Sequence, residues 1–289
     1  MADRENDQRL NVKRGIFMKK LNSVLAIIAV IAILAAAFSG CNEEKKTAVA
    51  NYDAECARIH SEYAVLQQTI SESQALIDAG EKPYDEKTIS ALETEIANAK
   101  ASVVEIPERK GNANEINSLV NNELKKISYV EVNERLISAK TALENSIKIM
   151  RQVTNPPESF IIERIKDIDG ITGYSAVTEN NDPNGMLNKP GGYTSTVYFA
   201  YNKVEDPYHV LGGTIVDNGT SGGGGIEVYA TEEDALKREE YLASFDGSVL
   251  ASGSHTVVGT VLVRTSDELT ASQQKELEAK IVENLTELR

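Results

Sequence analysis

The feature that most constrains the fold is a repeat in the spacing of apolar residues. Tyr52, Cys56, Ile59, Tyr63, Leu66, Ile70, Ser73 and Ile77 step by four and three residues in turn. On a helix this spacing draws a single stripe along one face, and a stripe of that kind has to be buried against partner helices. The repeat predicts a helix of roughly 28 residues, about 42 Å long. Cys56 lies on the stripe, so it reads as a small core residue and not as a reactive thiol. Gly80 stops the helix, and Pro83 stands just before the next one.

The pattern recurs downstream. Ile89, Leu92, Ile96, Ala99, Val103 and Ile106 predict a second helix from about Asp85 to Pro107, followed by the loop "ERKGNAN". A third helical run covers 113–152, marked by Ile116, Val120, Leu124 and Ile127 and then by Leu136, Ala139, Leu143, Ile147 and Met150. Its register slips near Ser128-Tyr129, which fits either one helix with a stutter or two helices with a tight bend. "TNPP" at 154–157 ends it. Residues 51–153 are therefore expected to form an antiparallel bundle of three or four helices. No polar residue recurs on the seams, which argues against a buried metal or cofactor there.

Beyond Pro157 the composition changes: residues 158–289 hold 15 of the 19 glycines. Phe160, Ile161, Ile165 and Ile168 suggest a short helix ended by Gly170. "ITGYSAV" reads as a strand, "NNDPNGMLNKPGG" as a long turn-rich loop, and "YTSTVYFAY" as a strand alternating Val197, Phe199 and Tyr201 on one face. "GTIV" and "IEVYA", separated by Asp217-Asn218-Gly219 and a glycine run, suggest a hairpin with a flexible connection. Thr231 with Asp234, and Thr270 with Gln273, have the spacing of helix N-caps. "TVVGTVLVR" at 256–264 is apolar enough for one central strand covered on both sides. The expectation for 158–289 is an α+β domain, a sheet with helices packed on it.

The N-terminal stretch sets the address. From Met18, which is the expected true start, Lys19 and Lys20 precede an apolar run, Leu21 to Phe38, and then Ser39, Gly40 and Cys41. Basic flank, apolar core and small residues are the layout of a secretory signal. Phe38-Ser39-Gly40-Cys41 resembles a bacterial lipobox, with Phe38 where Leu is usual. The resemblance implies a signal peptide over 1–40, cleavage before Cys41, and diacylglycerol on the Cys41 thiol. Two acyl chains, of the palmitate type, then give stable anchoring at the extracytoplasmic face of the cell membrane. Residues 41–50 would be a lipid-anchored tether. The alternative for the apolar run is a plain transmembrane anchor, for which its 18 residues are just long enough.

Two further resemblances extend this reading. Tyr84-Asp85-Glu86-Lys87-Thr88 leading to Leu92, Ile96, Ala99 and Lys100, with an echo at Leu136, Ala139, Lys140, Leu143 and Ile147, resembles the FIVAR-type helical modules of Gram-positive surface proteins. "AVTENNDPNGMLNKPGGYTSTVYF" and "SGSHTVVGTVLVRTSDELTASQQKELE" look like an uncharacterised C-terminal domain of Gram-positive lipoproteins. These imply a surface protein and a recurring fold, with no reaction attached.

Charge narrows the partners. From Cys41 onward 24 basic residues face 41 acidic ones, a net charge of −17. Such a chain repels phosphate backbones, so no nucleic-acid partner is expected, and any hold on the membrane comes from the lipid at Cys41. Weighed for chemistry, the sequence offers little. Gly222 to Gly225 precede a strand instead of opening a helix, so they read as a flexible loop and not as a phosphate cradle. Asn180, Asp182 and Asn184 begin like a calcium loop, but the twelfth position is Gly191 and not an acid, which leaves an Asx turn as the plainer reading. His60, His209 and His255 lack second ligands at zinc spacing. Ser254, His255 and Asp246 contain the residue types of a hydrolytic triad without a nucleophile elbow. No cofactor is expected. The favoured function is a binding or interaction module held off the membrane by a helical spacer. Its contact loop would be 180–192, with Asn180, Asp182, Asn184 and Lys189, and its partner a cell-envelope component or a protein. The rivals are an envelope hydrolase with an unrecognised site in 158–289 and a purely structural spacer.

Overall fold

The computed structural model describes residues 43–205, 211–248 and 253–289. The signal segment, Cys41 and His209 lie outside the described residues. The fold is α+β: a helical N-terminal region, then a five-stranded antiparallel sheet with helices packed against it. The chain divides into two compact units, one through Gly80 together with Ile89–Thr141, the other Glu81–Thr88 together with Ala142–Arg289.

The first unit is built from α1 (Glu43–Asp78), α2 (Lys87–Ala101), α3 (Ala113–Asn122) and the start of α4 (Val130–Gln152). α1 begins at Glu43, so its opening turns lie in the stretch expected as a tether, and Ala48 is already buried there. Half of the predicted seam, Ile59, Leu66, Ile70 and Ser73, is nearly inaccessible; Tyr52, Cys56 and Ile77 are half-buried, and Tyr63 is exposed. The inaccessible residues meet the buried side of α3, Ile116 and Val120. Asn112 caps α3, accepting from the Asn114 and Glu115 amides while Glu115 returns a bond to the Asn112 amide.

Two expectations in this unit are corrected. The second helix ends at Ala101 and does not reach Ile106; Val103 and Val104 are exposed. Pro107 disfavours helical backbone at Ile106, and the β-branched run before it has little helix preference. Tyr129 holds the segment instead, its hydroxyl accepting from the Val104 amide (3.3 Å). The 113–152 run is two helices, separated by a 3₁₀ turn at Leu124–Lys126 and an extended Ile127. No glycine or proline makes this break. A pair of α1 side chains supports it: Arg58 Nη2 donates to the Leu124 and Ile127 carbonyls (3.2 and 2.9 Å), and Glu62 accepts from the Tyr129 amide (2.9 Å) and Ser128 Oγ (3.0 Å). Arg58 and Glu62 also bond each other at 2.7 Å. The pair supplies partners for backbone groups that a helix would have satisfied itself.

The second unit holds α5 (Glu158–Ile165), β1 (Ile171–Ala176), β2 (Tyr193–Tyr201), a one-turn α6 (Ile215–Asn218), β3 (Gly223–Tyr229), α7 (Glu232–Ala243), β4 (His255–Val258), β5 (Val261–Thr265) and α8 (Ala271–Thr286). The sheet order is β1-β2-β3-β5-β4, with every neighbouring pair antiparallel. One face is mainly hydrocarbon: Val197, Phe199, Ile226, Val228, Val261 and Val263 pack under Ile161 and Ile165 of α5 and Leu277, Ile281 and Leu285 of α8. The opposite face carries Tyr198, Glu227, Tyr229, Leu262 and Arg264. It is covered by Ala235 and Leu242 of α7 and by Val177, Val216 and Leu187 from the β1–β2 loop and α6. Thr231 and Thr270 cap α7 and α8 as expected.

Three readings are corrected here. "TVVGTVLVR" is not one strand but a hairpin, β4 and β5 joined through Gly259-Thr260, with β4 at the sheet edge. Gly259 takes the positive φ (+61°) that a two-residue hairpin turn demands. "GTIV" is not a strand: Thr214 and Asp217 form a capping box that turns the chain into α6. The glycine run is not a flexible loop, because Gly223, Gly224 and Gly225 are buried within the central strand. A Cβ at Gly224 would lie 2.3 Å from Phe199 Cζ, and one at Gly225 would lie 2.9 Å from the Tyr198 ring. The two aromatic partners on β2 fill the space that β3 side chains would take.

Candidate functional site

On the polar face, β3 places Glu227 and β5 places Arg264 one row apart. Glu227 is fully buried, and removing a carboxylate from water costs several kcal/mol unless it is compensated. The compensation is complete. Glu227 Oε1 accepts from Arg264 Nη1 (2.9 Å); Oε2 accepts from the Tyr229 hydroxyl (2.6 Å) and from Arg238 Nε on α7 (3.3 Å). Burial pushes the Tyr229 hydroxyl well above the usual phenol range and raises that of Tyr198, and the Glu227 charge adds to both. Both tyrosines therefore stay protonated at physiological pH.

Beside this cluster lies a cleft of about 250 Å³, lined by Asn184, Met186, Gly191, Gly192, Tyr193, Tyr229 and Arg238. The β1–β2 loop forms one wall and α7 supplies the cation. Asp182 organises the loop. Its Oδ1 accepts from the Asn184 amide (3.0 Å) and from the Tyr193 hydroxyl, and its Oδ2 accepts from the Leu187 amide (2.8 Å). Burial works against ionisation of Asp182, but the bonds from Tyr193, Leu187 and Asn184 outweigh it and hold the carboxyl below its usual range. Burial and the bond to Asp182 push the Tyr193 hydroxyl upward.

The four loop residues singled out by sequence thus have different places. Asp182 faces inward as the latch, with both oxygens taken by protein donors. Asn184 lines the cleft. Asn180 is exposed in the turn closed by Asn181. Lys189 is exposed, with its Nζ 3.7 Å from where a Gly185 side chain would begin. Among the described residues, no three His, Cys, Asp or Glu side chains converge as a metal site.

The residues weighed as a triad are partly gathered. His255 is nearly buried, with Nε2 3.3 Å from Asp246 Oδ1 and Nδ1 3.2 Å from Glu239 Oε1. Ser254 Oγ, however, pairs with Thr265 Oγ1 at 2.8 Å. The hydroxyl is thus engaged elsewhere, and the nucleophile–base link that hydrolysis requires is not assembled. His60 is solvent-exposed on α1. Burial pushes the half-buried Cys56 thiol upward, away from the thiolate that would be reactive.

Sequence reasoning missed Glu227, Arg238, Arg264 and Tyr229. A faint signal existed, since both "GIEVYA" and "VLVRT" place one charge inside an otherwise apolar run. No family model, curated protein or solved structure matches this chain. Among the described residues, no helix is long and apolar enough to cross a membrane.

Proposed function

We propose that this chain is a lipid-anchored extracytoplasmic binding protein, in which the second unit presents a small polar cleft and the helices serve as a spacer. The observation that carries the binding role is the cleft between the β1–β2 loop and α7. Its loop is held by Asp182, and its floor by an ion cluster in which both Glu227 oxygens are engaged, so the walls are organised before any ligand arrives. The lipobox-like residues Phe38–Cys41 support the anchor.

The test is a fragment screen on the full chain in detergent micelles, read by amide NMR. Binders should move the amides of Gly191, Gly192 and Tyr229. A screen in which no fragment perturbs these amides would overturn the binding role. The anchor is tested separately by intact mass in the native cell type: the mature protein should begin at Cys41 and carry acyl mass that Cys41→Ser abolishes.

A further inference from the structure

Resting on that binding role, the hydrogen-bond inventory of the cleft narrows its ligand. Every carboxylate oxygen at the site is engaged: Glu227 by Arg264, Tyr229 and Arg238, and Asp182 by Tyr193, Leu187 and Asn184. The Tyr193 and Tyr229 hydroxyls donate their protons to these carboxylates and have none left for a ligand. Arg238 differs. Its Nε is used on Glu227, while no bond to a protein acceptor is seen for either Nη among the described residues. Its side chain remains about a quarter exposed and lines the cleft. A guanidinium offers five donors, so the planar fork keeps unused hydrogens at the cleft wall.

The local charge agrees. Glu227 and Asp182 are balanced by Arg264 and Arg238, so the site is locally neutral within a strongly acidic chain, and Arg238 is the cation that lines it. Asn184 is the other polar side chain of the lining, its Nδ2 donating to the Tyr198 hydroxyl (3.4 Å), while Met186 is open to solvent and the rings of Tyr193 and Tyr229 stand at the wall. One fork matches the two oxygens of a carboxylate, whereas a phosphate dianion asks for more donors than this wall presents.

We propose that the cleft takes a small organic carboxylate, its oxygens on the Nη groups of Arg238 and its apolar part against Met186 and Tyr193.

The experiment titrates the full chain in micelles with N-acetylalanine, its neutral N-methylamide and inorganic phosphate. Calorimetry gives affinity, and the Gly191, Gly192 and Tyr229 amides give location. N-acetylalanine should move those amides, and the N-methylamide should bind about tenfold more weakly or worse, the loss expected for a charge-assisted bond. Arg238→Gln should weaken N-acetylalanine about tenfold or more, and Lys189→Gln by about twofold, as for an exposed charge. Met186→Glu, a change at an exposed wall position, should also abolish binding and provides a second measure should Arg238→Gln not fold.

Equal affinity for acid and amide, or an unchanged affinity in both Arg238→Gln and Met186→Glu, would overturn the carboxylate while leaving a binding cleft standing. Tighter binding of phosphate than of N-acetylalanine would overturn it in the same way. If the acid leaves the amides unmoved while fragments of other chemistry move them, the carboxylate fails alone. If nothing moves them, the binding role fails with it.

Discussion

The two units bury their chain by different means. In the helical unit the inaccessible side chains are almost all hydrocarbon, and the buried Thr69 hydroxyl simply donates to the Val65 carbonyl within its own helix. Its main charged device, Arg58 with Glu62, stays half-buried and serves the point where helical hydrogen bonding is interrupted, Arg58 pairing also with Glu55 of its own helix. In the sheet unit a carboxylate with no solvent exposure sits mid-strand, and two arginines and a tyrosine are arranged around it. A helix satisfies its own backbone, so its seam can be uniformly apolar and needs ions only at breaks. The sheet divides its labour between faces, one carrying the hydrocarbon core and the other a closed ionic cluster beside the cleft.

This contrast can be broken by substitution, beginning with the largest effect. Glu227→Ala leaves Arg264 buried without its partner and should cost about 3–5 kcal/mol in urea unfolding, with part of that recovered by Glu227→Leu combined with Arg264→Met. A cost under about 1 kcal/mol would mean that the cluster is not dry, and the contrast would fail. In the helical unit, Leu66→Ala should cost about 3 kcal/mol through cavity formation, with no titratable group involved. Gly224→Ala should cost about 2 kcal/mol, because the new Cβ meets the Phe199 ring and the Arg264 carbonyl. Thr270→Ala should cost about 1 kcal/mol, the usual loss for an N-cap that accepts from its helix.

The smallest effect is a titration that compares one carboxylate in each unit. Burial opposes ionisation of Glu62, but the Tyr129 amide and Arg58 outweigh it; Asp182 is lowered by the analogous bonds in its own loop. A carboxyl lowered by folding stabilises the fold fully above its unfolded value and loses that contribution as pH falls through the folded one. The Tyr129 and Leu187 amides should therefore titrate below 4.5 and 3.8 respectively. A midpoint at or above those values for either amide would contradict the bonding described.

What the sequence revealed divides along the same line. The α1 seam and the caps at Thr231 and Thr270 were legible because each depends on residues three or four apart. The break before α4 was ambiguous because its support comes from Arg58 and Glu62, remote in sequence from the break. The hairpin at Gly259 had a local signal, one glycine between two valine-rich runs, which the apolar character of the whole stretch obscured. Val103 and Ile106 continue the helical period past the true end at Ala101, while Pro107 and the β-branched run decide the backbone. The ion cluster was not legible: Glu227 and Arg264 meet across strands, 37 residues apart. A single acid in a strand looks like a solvent-facing residue until the covering helix is known. Of the loop residues singled out by sequence, Asp182 holds the loop together, while Arg238, from another element, supplies the charge at the cleft.

The glycine tract of β3 has a consequence for how this sequence can change over time. Gly225 is empty because the Tyr198 ring occupies its place, whereas Gly224 is hemmed in by the Phe199 ring and by the Arg264 backbone carbonyl as well. The two glycines are therefore held differently: a side chain gained at 225 can be matched by one reduced at 198, but reducing Phe199 does not clear the backbone at 224. Descendant sequences should record paired replacements at 225 and 198, with bulk passing from one strand to its neighbour, while 224 stays glycine.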